Sequence, residues 1–146
     1  MATTDYGVTI AMVGTQLPFD ASNISATTQV SSDDVTQFIA DASAAFTAVL
    51  IKAGLLGDGG DPTTDLGDDT LQQAREYIIS AAVVKVLDAL GFSGRARDNA
   101  AARERALYDR YAKRSELLVK RTKRVRSTVD TSASTRGKYT GTGYKF

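Results

Sequence analysis

The residues with most chemical potential lie near one end of the chain. Lys113, Arg114, Lys120, Arg121, Lys123, Arg124 and Arg126 form a basic run, and the stretch from Lys120 to Arg126 has no acid within it. Such a run can neutralise phosphates, giving salt-dependent and sequence-independent affinity for nucleic acid. It also suits an acidic protein partner. Beyond it, Arg136, Lys138, Tyr139, Tyr144, Lys145 and Phe146 close a segment rich in Ser, Thr and Gly. Tyr, Thr and Phe between glycines can add a strand to a partner's open sheet edge, the aromatics anchoring and the backbone hydrogen-bonding. The plain alternatives are a solvated helical face, with Glu104, Asp109 and Glu116 pairing at helical spacing, and an idle tail.

Other chemistries find little to use. The chain has no His and no Cys, which removes the commonest general base, the commonest metal ligand and any thiolate zinc site. Asp58, Asp61, Asp65, Asp68 and Asp69 lie in one Gly-rich stretch. A calcium loop needs alternate ligands, Gly at position six and Glu at twelve. Started at Asp58, the third position is Gly60 and the twelfth Asp69; started at Asp61, the sixth is Leu66. These acids read as a solvated loop and helix N-terminal charge. Gly137-Lys138 is not a phosphate loop either, because Ser132 and Tyr139 stand where the pattern wants Gly and Ser or Thr. No catalytic residue, metal or cofactor is assigned.

At 146 residues and 42% hydrophobic composition, one domain with a modest core is expected. Net charge of +1 conceals a division. Residues 1–92 hold 3 Lys or Arg against 12 acids, a net −9, and residues 93–146 hold 15 against 5, a net +10. No apolar run approaches the roughly 20 residues that span a bilayer, and the N-terminus lacks the basic n-region of a secretory signal. A soluble protein made in a cytoplasm, with no membrane partner, is expected.

The elements that must position these groups are helical. Residues 1–30 read as an irregular or short-strand arm, with Val8, Ile10 and Met12 alternating before Gly14 and Pro18 interrupt. Ser32 is a plausible cap for a helix over 32–53, and Val35, Phe38, Ile39, Ala42, Phe46, Val49 and Leu50 make one face. Gly54 ends it, and a Gly- and Asp-rich loop fills 54–69. A second helix, from near Asp69 to about Leu90, is apolar nearly all round in IISAAVVKVLDAL and so belongs in the centre; Gly91 closes it. A third, polar helix over 95–126 has a thin seam of Ala100, Leu107, Tyr111, Leu118 and Val125, and needs a partner to be stable. The domain reading is an arm over 1–30, a helical domain over 31–126 and an extended tail over 127–146, disordered in isolation. The fold class is all-α, a small bundle of about three main helices.

This order of elements resembles the head-to-tail adaptor, or head-completion and connector, proteins of long-tailed bacteriophages. It is carried by an acid-capped amphipathic helix, a Gly/Asp loop, the helix AREYIISAAVVKVLDALG, the charged helix RDNAAARERALYDRYAKRSELL, and then a basic stretch and a loose tail. The resemblance covers roughly residues 31–146 and rests on order, length and helix character. It implies a structural virion protein, not an enzyme, assembled in the host cytoplasm and placed at the head–tail interface. It implies a homo-oligomeric ring, commonly twelve-fold, between the portal protein and the next neck or tail-completion protein, with the genome passing through. The C-terminal segment would grip the portal. Lys120, Arg121, Lys123, Arg124 and Arg126 would face the channel, making transient contact with genomic DNA, or the portal. The alternatives are a nucleic-acid-binding accessory protein using Arg103–Arg126, and another component of a virion or secretion machine.

Overall fold

In a computed structural model of the chain, residues 6–19 and 29–142 are described, with side chains as far as residue 118. Among the described residues all regular structure is helical: α1 (Ile10–Gly14), α2 (Ser32–Lys52), α3 (Pro62–Asp65), α4 (Asp68–Ala89) and α5 (Arg95–Thr142). The all-α bundle of three main helices is as expected.

Local chemistry sets the ends of α2 and α4. Ser31, not Ser32, caps α2. The Asp34 amide donates to Ser31 Oγ at 3.1 Å and the Ser31 amide donates to Asp34 Oδ2 at 2.9 Å, a reciprocal capping box that needs an acid three residues after the cap. At the other end Gly54 takes φ +73, its N–H donates to Ile51 O, and the Leu55 N–H donates to Leu50 O. Gly91, at φ +74, ends α4 in the same way, with Gly91 N–H on Asp88 O and Phe92 N–H on Leu87 O. Both are Schellman endings, where a left-handed residue lets the chain turn back on the last carbonyls.

The apolar residues fall into two adjoining clusters that fix the helix directions. In one, Ala42, Phe46 and Leu50 of α2 meet Ala74, Tyr77 and Ile78 of α4 and Leu107 and Tyr111 of α5. In the other, Val35 of α2 meets Val83, Val86 and Leu87 of α4 and Ala100 of α5. Residue numbers rise together in α2 and α5 and fall in α4, so α4 runs antiparallel to both. It is the central helix, packing on α1, α2 and α5, and its burial reaches around most of its circumference at Tyr77, Ile78, Ser80, Ala81, Ala82, Val83 and Val84. Phe46 stacks on Tyr77 with centroids 4.5 Å apart, and Tyr111 meets Phe46 edge-on at 5.3 Å. α2 is, by length and composition, long and apolar enough to cross a membrane, although no such run was expected. Its buried residues Val35, Ala42, Phe46, Val49 and Leu50 are nevertheless the face it turns to the core.

Two expectations change. The described part of the expected arm, residues 6–19 and 29–30, is not simply an arm: Tyr6, Val13, Leu17 and Val30 are buried. The alternating residues lead into α1, capped by Thr9, whose side chain accepts from the Met12 amide. Tyr6 is held from both sides. Its hydroxyl lies 2.6 Å from Thr47 Oγ1; Thr47 spends its own proton on Ser43 O, so Tyr6 is the donor. Arg75 Nε donates to the Tyr6 carbonyl at 2.7 Å. The second change is in α5, which continues to Thr142 instead of ending at Arg126. The segment contains no Pro and no Gly before Gly137, so nothing in its first part breaks a helix.

Candidate functional site

The residues expected to carry function lie mostly outside the described side chains. Lys120, Arg121, Lys123, Arg124, Arg126, Arg136, Lys138 and Tyr139 fall within the bounds of α5, but side chains are described only to residue 118. Tyr144, Lys145 and Phe146 lie outside the described residues altogether.

What the structure does place is the base from which that segment departs. Ala100, Leu107 and Tyr111, the first part of the expected seam, are buried, whereas Leu118 is 42% exposed and Leu117 65%. Leu118 lies beside Gly54, at the C-terminal end of α2. The bundle's contact with α5 therefore thins out where α2 ends. Leu56 and Leu66 of the intervening loop pack into the same cluster as Leu107 and Tyr111. The end of the bundle from which the basic helix continues is thus the end that carries the Gly- and Asp-rich loop.

The charges along α5 are less paired than its spacing predicts. Among the described residues, Glu104, Asp109 and Glu116 make no ion pair. Arg97 instead reaches back to Asp88 of α4 at 3.0 Å and touches Asp98 at 3.9 Å, and Lys85 lies 3.7 Å from Asp41. The Arg97 hydrogen bond holds the Asp88 carboxyl below its ordinary range. Glu104 is pushed the other way: burial raises its pKa, and Lys85, Arg97 and Arg105 only partly offset this. Beneath it, burial chiefly, with Glu104 and Tyr108 adding, pushes Tyr77 up to about 12.

The loop acids do structural work. Asp61 caps α3, accepting from the Thr63 amide at 3.0 Å and the Thr63 hydroxyl at 2.8 Å. Asp65 accepts from the Asp61 amide at 2.8 Å. Among the described residues no group of three or more acids, His or Cys is placed to hold a metal.

One concave feature was not foreseen. A cleft of about 170 Å³ opens between the end of α1, α4 and the start of α5, lined by Gln16, Ser80, Val83, Ala96, Asn99, Ala100 and Arg103. Gln16, Asn99 and Arg103 are exposed at its rim. Ser80 is 2% exposed, and among the described residues its Oγ is the buried side-chain polar atom without a hydrogen-bond partner. The available signal was Ser80 itself, a hydroxyl interrupting the apolar run IISAAVV.

No family model, curated protein or solved structure matches the chain.

Proposed function

We propose that the chain is a structural component of a bacteriophage neck. It would be a head-to-tail adaptor that assembles as a ring between the portal and the next neck or tail-completion protein, with the genome passing through. The observation that carries this reading is the mismatch in helix length. α2 and α4 have 21 and 22 residues, about 32 Å each, while α5 has 48, about 72 Å. Helices of that length can lie along only part of α5. The remainder is strongly basic, and a thinly apolar helix of that length gains its stability from partners. Residues 1–92 at net −9 joined to residues 93–146 at net +10 suit stacking of like subunits. A central α4, buried on most sides through its middle from Tyr77 to Leu87, suits the protomer core of such adaptors.

The test is negative-stain imaging of the protein mixed with the portal ring from the same genome, beside a truncation ending at Arg126. An added ring with the full chain, lost on truncation, supports the adaptor role and the grip by residues 131–146. No added density with either, at moderate salt and excess protein, overturns it. The acid-free basic stretch Lys120–Arg126 favours a second reading, a nucleic-acid-binding accessory protein. That reading predicts duplex binding that falls steeply with salt and survives the truncation.

A further inference from the structure

We propose that the cleft between α1, α4 and α5 is a carboxylate-binding site. Its polar wall supplies donors: the Arg103 guanidinium, the Asn99 and Gln16 amides and the Ser80 hydroxyl. No acid lines it, and Arg103 makes no ion pair with a described residue. The neighbouring Glu104 is not among the residues that line the cleft. One fixed positive charge among neutral donors matches a single negative charge. A phosphate dianion would be left half-neutralised, whereas a carboxylate takes the planar guanidinium fork in a bidentate pair. The volume admits more than a single bridging water. About 170 Å³ is on the order of five waters' share of the liquid, enough for a carboxylate with a short stem. Ser80 forms part of the wall, with its buried hydroxyl unpaired, and buried hydroxyls ordinarily find partners. An occupant reaching the inner end of the cleft supplies the missing acceptor.

The carboxylate has two available sources: a small free acid, or an Asp side chain from the acid-rich loop of a second copy. The first stands independently of the adaptor reading; the second rests on it. The experiment uses the ¹⁵N-labelled full chain and follows the side-chain resonances of Asn99, Gln16 and Arg103. At low protein concentration, acetate is titrated against chloride at equal ionic strength. Separately, the protein is concentrated without acetate. Saturable shifts with acetate but not chloride, weakened about tenfold or more in Arg103→Gln as for a lost charge-assisted bond, support the site. Ser80→Ala keeps the thermal midpoint, since it removes an unpaired hydroxyl, yet weakens acetate binding.

Acetate shifts without concentration shifts identify a free acid as the source. Concentration-dependent shifts that acetate competes away identify the second copy. If neither acetate nor concentration moves these resonances, or Ser80→Ala and Arg103→Gln both bind acetate like the unaltered chain, the proposal is overturned. Failure of the concentration arm alone leaves the portal experiment untouched, so the two readings fail separately.

Discussion

If the N-terminal segment is part of the core, Tyr6 is the residue to remove. It is 1% exposed and packs in the cluster that holds Phe46, Leu50, Tyr77 and Ile78. Truncating a buried aromatic to Ala costs about 3–5 kcal/mol, transfer and cavity together. The Arg75 bond is made to the Tyr6 backbone carbonyl and survives the change, so the lower half, about 3–4 kcal/mol, is expected for Tyr6→Ala. Tyr6→Phe keeps the ring and loses only the bond to Thr47, about 1 kcal/mol. Against a total stability of roughly 5–15 kcal/mol, the Ala variant gives up a large share. Its thermal midpoint should fall by about 9–20 °C, at about 3–5 °C per kcal/mol for a domain of this size. Urea unfolding followed by circular dichroism measures both variants. A Tyr6→Phe, Thr47→Val double-mutant cycle isolates the hydroxyl pair, with a coupling of about 0.5–1 kcal/mol expected. A Tyr6→Ala midpoint indistinguishable from that of the unaltered chain would refute the placement and return residues 6–19 to the role of an arm.

Three further outcomes follow from the same geometry. Glu104 has a pKa raised above 4.5 by burial, so the folded chain holds that proton more tightly than the unfolded chain. The associated stability is present below the ordinary carboxyl range and lost as pH rises through the raised value. Glu104→Gln should therefore gain more in urea midpoint, relative to the unaltered chain, at pH 7 than at pH 4; an equal difference at both would contradict the assignment. Tyr77, pushed up to about 12, follows the same sign at higher pH. Its stabilisation is present below about 10 and lost as pH rises through about 12, and absorbance at 295 nm should show one fewer tyrosine titrating near pH 10 in Tyr77→Phe only if the pKa of Tyr77 is ordinary. Gly91→Ala forces a side chain into φ +74 and should cost about 1–2 kcal/mol, read as a lower urea midpoint with an unchanged m-value.

The sequence carried the main helices because their instructions are local. The steps of three and four from Val35 to Leu50, the acids after Ser31 and the glycines at 54 and 91 all act within a turn or two of themselves. The IISAAVV run announced a helix buried on most sides, and α4 is that helix. What escaped notice depends on distant partners. α1 has five residues, too few to show a period, and Tyr6 finds its partners 41 and 69 residues away. The cleft likewise needs three elements to meet before Gln16, Ser80 and Arg103 share a wall. The basic and aromatic segments were conspicuous in composition, but composition says which partners they suit and not where their side chains point.

The clasp on Tyr6 also has a consequence in time. Its two bonds bridge 41 and 69 residues of chain, whereas α4 and α5 are sequence neighbours joined by a short turn. Closing the longer loops costs more chain entropy before any contact repays it, so the helical hairpin forms early and the first segment docks late. During synthesis that segment leaves the ribosome well before Arg75 does, and the apolar face of α2 waits uncovered in the interval. Substitutions at Tyr6 should accordingly speed unfolding and leave the refolding rate almost unchanged, a division that stopped-flow chevrons would display directly.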